Sequence, residues 1–333
     1  MKRKLIGSLS AAVLALGLLS PAAAADKYKI GYDIYFTGNS WSVQLYQEFK
    51  AAAEKNADKV EVTYVESELK ADKQIANIED LITKKVDAIV TTPISPTALI
   101  PALKKARAQG IKVILLASSI RSQDYDSLVT VDDGEFGRAG AEWLVKALGG
   151  KGRIIALNGI AGIAASDDRW KGAKAVFDAN PGITVVSDVA ASWDYAQAKL
   201  AVSNILAADP NIDGVWSQGG AMTLGAIDAF DAAQKPLVPM TGEDNNGYLK
   251  RWKALKDKGF QSVAPSKPTW LGAEALDVTL KLLNGETVEK DHILPPPVIT
   301  ADNLDSFIKP ELSDSFWNNT RLTDDQVKAI FQD

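Results

Sequence analysis

The feature that most constrains this sequence is a series of short, continuous apolar runs separated by helical patterns. The run at residues 113–116 consists of valine, isoleucine and two leucines, so a strand formed there is apolar on both faces. Such strands are typical of a parallel sheet that helices cover on both sides. Between two such runs, Leu45, Phe49 and Ala52 are spaced by four and three, which predicts a helix over 41–55 with one apolar stripe. This alternation predicts a doubly wound α/β fold.

The number of apolar runs predicts two such sheets rather than one. A stretch around Asp87 has a counterpart around Asp213, 126 positions later, and the elements on either side follow in the same order. Two similar α/β lobes are the simplest interpretation of this echo. The predicted strands span residues 29–34, 60–66, 88–91, 112–116, 128–131, 153–158, 184–190, 214–217, 237–241 and 262–264.

The chain is predicted to pass between these lobes three times, which makes a three-segment hinge. The crossings are placed near Asp132, Pro265 and Leu294. The predicted first lobe comprises residues 26–131 and 266–293, and the predicted second lobe comprises residues 132–265 and 294–333, including a C-terminal tail.

The first 25 residues have the order of a secretory signal peptide. Three basic residues at 2–4 precede an apolar run over 5–19, and the small-residue pair Ala23 and Ala25 predicts cleavage after Ala25. The alternative is a membrane anchor, but the apolar run is shorter than the ~20 residues that a span needs. We therefore expect residues 1–25 to be a signal peptide and the rest of the chain to be periplasmic.

Composition removes several classes of function. The chain has no cysteine and one histidine, His292, which leaves no material for disulfides, thiolate sites or histidine-cluster metal sites. It has 37 basic and 42 acidic residues, a net charge of −5, so no excess of positive charge attracts it to nucleic acid. Neither a dinucleotide-binding glycine pattern nor a P-loop follows any predicted strand, which indicates no nucleotide cofactor.

Ligands of open α/β sheets bind beyond the carboxyl ends of the strands, so the residues at those positions are the candidates for a site. In the first lobe they are Tyr35, Phe36, Asn39, Trp41, Thr92 and Ser118. In the second lobe they are Arg169, Trp193, Asp194, Gln218, Glu243, Asp244 and Ser266, the last followed by Lys267.

This collection of side chains suits a sugar or polyol. Carboxylates, amides and guanidinium groups bind vicinal hydroxyls in pairs, and the C–H face of a sugar ring packs against an indole. We expect Trp41 and Trp193 to stack on the ligand and Asn39, Arg169 and Asp244 to clamp its hydroxyls. For each residue a structural role is the alternative, such as a tryptophan in the core or an asparagine that caps a helix.

With those residues in place, the chain resembles the periplasmic sugar-binding proteins of the ribose-binding type, the soluble receptors of ABC importers. Asn39 and Trp41 stand where that family has an asparagine and a stacking aromatic residue. The segment 157–162, followed by Arg169, matches the opening strand of the family's second lobe and its sugar-binding arginine. Trp193-Asp194 is similar to the family's aromatic-aspartate pair, and the segment 242–244 ends, as in the family, in a sugar-binding aspartate.

The same comparison shows departures that bear on the ligand. Gly219 stands where the ribose-type pattern has an asparagine, Ala117-Ser118 replaces an Asp-Arg pair, and Ser266 stands at the position of a glutamine. Because these three polar contacts differ, the resemblance implies a sugar or polyol but does not imply ribose.

The resemblance implies the type I periplasmic binding protein fold, with two lobes that close by hinge motion on a monosaccharide or polyol. It also implies a monomer that delivers its ligand to an ABC transporter permease with its ATPase, without cofactor, metal or catalytic residue. One alternative is a receptor for a furanose-like signal, or one that reports sugar to a chemoreceptor. Another is a secreted enzyme with a carboxylate pair such as Glu243 and Asp168. A regulator of the lactose-repressor type is disfavoured because a signal sequence stands where its DNA-binding helices would be.

Overall fold

The computed structural model describes residues 26–331, so the predicted signal peptide lies outside the described residues. Within them, two six-stranded sheets are each covered by helices on both faces, which confirms the predicted doubly wound α/β lobes. No helix in this part of the chain is both long and apolar enough to cross a membrane.

The first sheet has the strand order β2-β1-β3-β4-β5-β11, and all of its neighbouring strands are parallel. Its strands are β1 (Tyr28–Ile34), β2 (Val60–Glu66), β3 (Ala88–Thr91), β4 (Lys112–Leu116), β5 (Ser127–Val131) and β11 (Asp291–Leu294). Its helices are α1 (Ser40–Lys55), α2 (Ala71–Thr83), α3 (Ile100–Ala108) and α9 (Leu271–Leu283). The predicted apolar stripe is confirmed, since Leu45 and Phe49 of α1 are buried against this sheet and α9.

The second sheet repeats that arrangement in the order β7-β6-β8-β9-β10-β12. Its strands are β6 (Gly152–Asn158), β7 (Ile183–Ala190), β8 (Gly214–Ser217), β9 (Met240–Thr241), β10 (Ser262–Pro265) and β12 (Val298–Ile299). Its helices are α4 (Asp133–Ala147), α5 (Ala164–Asp178), α6 (Tyr195–Ala208), α7 (Gly220–Ala232) and α8 (Asn246–Lys256). The one difference in direction is β12, which runs antiparallel to β10.

The sequence echo around Asp87 and Asp213 corresponds to the same hydrogen bond in both sheets. The backbone N–H of Lys29, in β1, donates to Oδ2 of Asp87 at 2.7 Å. In the second sheet the backbone N–H of Arg153, in β6, donates to Oδ2 of Asp213 at 2.8 Å. Each aspartate thus ties the first strand of its sheet, β1 or β6, to the segment that precedes the neighbouring strand, β3 or β8.

The chain passes between the sheets at three places: from β5 to α4, from β10 to α9 and from β11 to β12. Beyond β12 lie a 3-10 helix (Leu304–Ser306), an irregular segment and α10 (Asp324–Ile330). Although the sequence interpretation placed all of residues 294–333 with the second lobe, the end of the tail returns to the first. Val327 of α10 packs beside Ala51 of α1, and the Arg321 guanidinium donates to Glu274 of α9 at 2.9 Å.

Two differences from the predicted strands have a physical cause. The strand predicted over 237–241 is reduced to Met240–Thr241, because Pro236 and Pro239 lack the N–H that a sheet ladder requires. Strands β11 and β12 were not predicted, since both are short edge strands, and three prolines separate them.

Candidate functional site

A cavity of about 250 Å³ lies between the lobes, at the carboxyl ends of the strands. Ligand sites for drug-sized molecules are usually ~300–1,000 Å³, so this cavity fits a smaller molecule. Of the residues that the sequence predicted for the site, those that line it are Tyr35, Asn39, Trp41, Thr92, Ser118, Arg169, Trp193, Asp194 and Glu243.

The wall from the first lobe is neutral and is fixed by the start of α1. The Asn39 side chain caps this helix by accepting from the backbone N–H of Ser42 at 2.9 Å. The Tyr35 hydroxyl lies 2.6 Å from Oγ of Ser42, and burial raises the pKa of Tyr35 to about 12. The Trp41 indole N–H donates to the backbone carbonyl of Lys267 at 2.9 Å, so only the ring surface of Trp41 is left for a ligand.

The wall from the second lobe includes Arg169 and Glu243, which form a buried cluster of charged groups with Asp133 and with Lys267 of the crossing after β10. The Arg169 guanidinium donates to Oδ1 of Asp133 at 2.9 Å and to Oε1 of Glu243 at 3.3 Å. It also lies 3.6 Å above the Phe136 ring, so both its edge and its face are held. Two basic and two acidic groups are paired in this cluster, and such pairing offsets the cost of burying charged groups.

Lys267 joins this cluster to the opposite lobe. Its ammonium group donates to Oδ2 of Asp133 at 2.7 Å and to the backbone carbonyl of Ala117, beyond β4, at 2.5 Å. Burial lowers the pKa of Lys267, although Asp133 acts in the opposite direction. Its backbone N–H donates to Oε1 of Glu243 at 3.2 Å. One residue at the crossing after β10 therefore contacts both walls of the cavity.

Burial raises the pKa of Glu243 to about 7, even though the neighbouring Arg169 acts to lower it. Asp244, directly beside it, acts to raise it further. For Arg169, burial alone would lower the pKa, but Glu243 and Asp133 raise it above its ordinary value. Arg169 therefore stays charged, and the pKa of Glu243 lies near neutral pH.

Trp193 occupies a slot that two glycines create. A methyl group on Gly159 would lie 2.2 Å from the Trp193 ring, and one on Gly219 would lie 2.9 Å from it. The missing side chain at Gly219, a departure from the ribose-type pattern, is thus filled by an indole. Trp193 itself has a φ of 55°, a left-handed backbone that is costly for a bulky residue and persists only where the surroundings enforce it.

Two buried side-chain polar atoms of the lining residues have no hydrogen-bond partner among residues 26–331. They are the Ser118 hydroxyl and the Trp193 indole N–H. Leaving a buried donor unpaired costs ~1–3 kcal/mol, so such groups usually have a partner supplied by water or a ligand. Ser118 and Trp193 line opposite walls of the cavity.

Four predicted site residues do not line the cavity. The Gln218 side chain donates to Asn158 at 2.6 Å and lies behind Arg169, whose guanidinium binds the Gln218 carbonyl. The Ser266 hydroxyl donates to Asp244 at 2.7 Å. The Asp244 carboxylate also accepts from the backbone N–H of Asn319 in the tail, so it stabilises the fold and does not face the cavity. The remaining residue is Phe36, which packs beside Tyr35.

The sequence interpretation did not include Lys267, Ser315 or Trp317 among the site residues, and it assigned Trp317 to packing of the tail over one lobe; all three line the cavity. Lys267 directly follows Ser266 at the end of β10, so the position was visible although its role was not. Ser315 and Trp317 belong to the tail, where no strand end marks a site.

The carboxylate pair considered for an enzyme is not brought into one cavity. Glu243 lines the cavity between the walls, whereas Asp168 lines a separate one of about 490 Å³ beside the crossing from β5 to α4. No group of three or more candidate metal ligands occurs within residues 26–331.

The sequence of this chain is similar to those of known binding proteins. A family model described as a periplasmic binding protein domain matches residues 30–287. A xylitol-binding protein of Mycolicibacterium smegmatis is 28% identical over 304 residues, which cover 91% of this chain and 86% of the relative. A ribose import binding protein of Salmonella typhimurium is 29% identical over 294 residues, covering 88% and 97%.

The fold of this chain is also similar to that of a solved solute-binding protein. An ABC transporter solute-binding protein of Mycobacterium smegmatis, solved with bound glycerol, superposes with a TM-score of 0.77 and is 26% identical. The match covers 86% of this chain and 98% of that structure. The similarity therefore extends over both lobes and not over one of them.

Proposed function

Since the chain belongs to the periplasmic binding protein domain family, we propose that it binds a monosaccharide or polyol between its lobes, as the solute-binding receptor of an ABC importer. The observation that carries this proposal is the pair of unpartnered groups, the Ser118 hydroxyl and the Trp193 indole N–H, in a cavity of about 250 Å³. A polyhydroxylated molecule supplies acceptors to both and fits that volume.

The proposed ligand contacts divide by chemistry. Trp41 presents a ring surface for the apolar C–H face of the ligand, because its N–H is already bound. Asn39, Asp194 and Arg169 present hydrogen-bonding groups at the edge of the same space. Tyr35, Thr92 and Glu243 complete the proposed set.

Ligand contacts from both walls favour the closed arrangement of the lobes. The closed form is then the one that a membrane permease with its ATPase recognises, and the predicted signal peptide favours a periplasmic location. Delivery of the ligand to the permease requires that the lobes close around the hinge. The similarity to proteins named for xylitol and ribose favours ligands of that size.

A thermal-shift screen of pentoses, hexoses and polyols tests this proposal. A ligand at 100 times its Kd adds about 2.7 kcal/mol to the unfolding free energy, which raises the melting temperature measurably. Calorimetric titration of each hit then gives the affinity. If no sugar or polyol shifts the melting temperature, the proposal is wrong; if the purified protein converts the sugar chemically, the enzyme alternative replaces it.

A further inference from the structure

We propose that the C-terminal tail is part of the ligand site, and that Trp317 is a ligand-contacting residue which the tail holds in the cavity. This inference rests on the proposed function, since it concerns the same cavity. It goes beyond the strand-end positions, because Trp317 lies far from the end of any strand in the sequence.

Trp317 is held in one position by α1 of the first lobe. Its indole N–H donates to Oγ of Ser40 at 2.8 Å. Its backbone N–H donates to Oε1 of Gln44 at 2.9 Å, and its carbonyl accepts from Nε2 of the same side chain at 2.8 Å. Gln44 is fully buried and Trp317 is 4% exposed, so these bonds are shielded from water. With its N–H bound, the indole has only apolar ring carbons to offer the cavity, and these suit the C–H face of a sugar.

The same part of the tail is also anchored on the second lobe. Asp244 is buried, and its Oδ2 accepts from the backbone N–H of Asn319 at 2.7 Å. The backbone carbonyl of Asp244 accepts from the N–H of Asn318 at 3.1 Å. Burial raises the pKa of Asp244, and its hydrogen bonds with Ser266 and Asn319 oppose that shift. The tail thus supplies one of the hydrogen bonds that the buried Asp244 carboxylate accepts.

A second buried carboxylate anchors the tail on the first lobe. Oε1 of Glu48, in α1, accepts from the backbone N–H of Arg321 at 2.9 Å and from the Thr320 hydroxyl. Burial raises the pKa of Glu48, and its bond with Thr320 lowers it in part. Between the two anchors, the carbonyl of Asn319 accepts from the backbone N–H of Thr269 at 3.0 Å. Residues 317–321 therefore make a fourth link between the lobes, beside the crossing that leads from β10 to α9.

The two anchors hold Trp317 at the edge of the cavity. They fix residues 318–321 on both lobes, and Trp317 precedes that segment directly, so its ring cannot move away without loss of buried hydrogen bonds. A residue held so firmly at the edge of the cavity shapes which ligands fit. Trp317 thus supplies a third indole surface, in addition to those of Trp41 and Trp193.

The test compares Trp317→Ala, Trp317→Leu and Trp317→Phe, with Asp314→Ala as the control, by calorimetric titration with the best sugar from the screen. Asp314 lies in the same tail, but its side chain is 71% exposed and pairs with Lys250. We expect the Ala and Leu variants to raise Kd about 10- to 100-fold, Phe about threefold or less, and the control not at all.

A crystal structure of the wild-type protein with that sugar provides a readout that does not depend on whether the variants fold. We expect carbon atoms of Trp317 within ~4.5 Å of the ligand. The inference is overturned if no atom of Trp317 comes that close, or if folded Ala and Leu variants bind with unchanged Kd. Failure of the wild-type protein to bind any sugar would instead contradict the proposed function.

Discussion

The two lobes share a strand order but present different chemistry to the cavity. The first lobe contributes a neutral wall, with Trp41 and Ser118 among its members, whereas the second contributes the buried ions of Arg169 and Glu243. Equivalent strand ends in the two sheets thus have different roles. The fold therefore decides where the site residues lie, and the residue type at each position decides what they do.

The two walls also differ in how far their side chains are fixed before a ligand binds. The ions of the second wall are bound to one another before any ligand arrives, so their geometry does not depend on it. On the first wall, the Ser118 hydroxyl has no partner among the described residues. Substitutions in the charged wall should therefore change stability and affinity together, whereas substitutions of unpartnered groups should change affinity alone.

Arg169→Ala should have the largest effect. Without the guanidinium, Asp133 and Glu243 lose their bonds to it inside the protein, and breaking such a buried pair costs ~3–5 kcal/mol of unfolding free energy. Urea unfolding measures that loss, and titration should show a much weaker or absent sugar affinity. Arg138→Ala is the control, because its ion pairs on α4 are exposed and worth ~1 kcal/mol or less. Equal losses in the two variants would contradict the distinction.

Glu243→Gln should change how stability depends on pH. The pKa of Glu243 is about 7 in the folded protein, above its ordinary value of 4.5, so the folded state binds more protons between these values. The unfolding free energy of the wild type should therefore fall as pH rises from about 4.5 through 7, by on the order of 3 kcal/mol relative to the variant. Unfolding curves at pH 5, 6, 7 and 8 measure this, and parallel profiles for the two proteins would show that Glu243 stays ionised throughout.

Trp193→Phe removes the unpartnered indole N–H and keeps an aromatic ring between Gly159 and Gly219. We expect the sugar affinity to fall about 3- to 10-fold, the usual value of one hydrogen bond of ~1 kcal/mol. Calorimetric titration measures the change. Trp143→Phe is the matched control, since Trp143 lies on α4 away from this cavity. An unchanged Kd would mean that the ligand does not bind this N–H.

Ser118→Ala should have the smallest effect on sugar affinity. The sign of its effect on stability distinguishes a ligand contact from a structural role. The variant should bind sugar several-fold more weakly, yet its ligand-free form should be as stable as the wild type or more stable, because a buried unpartnered hydroxyl is removed. Ser119→Ala is the neighbouring control, since Ser119 lines the separate cavity beside the hinge. A loss of stability without a loss of affinity would assign Ser118 to structure.

Much of the fold was predictable because its signals are local. The apolar runs, the stripe at Leu45 and Phe49 and the repeated aspartates Asp87 and Asp213 each depend on short stretches of sequence. The carboxyl ends of parallel strands meet at one edge of a sheet, which is why Trp41, Arg169 and other residues could be placed near one cavity.

The remaining part of the site depends on packing between distant segments. Nothing near Asp244 in the sequence shows that its carboxylate accepts from Asn319 of the tail, so a ligand contact was the natural interpretation. The role of Trp317 has the same origin, since Gln44 lies 273 positions before it. Strands β11 and β12 were not recognised because edge strands of this length lack a periodic pattern.

The return of β11 to the first sheet has a consequence for how the protein is made. The Ser127 hydroxyl at the start of β5 donates to the carbonyl of Glu289, 162 positions later, and β5 gains its outer neighbour only when Asp291–Leu294 exists. A growing chain therefore cannot complete its first half while the second is still being synthesised, and until then β5 presents a bare edge that invites aggregation. Completion of the first sheet is postponed until residue 294 has emerged.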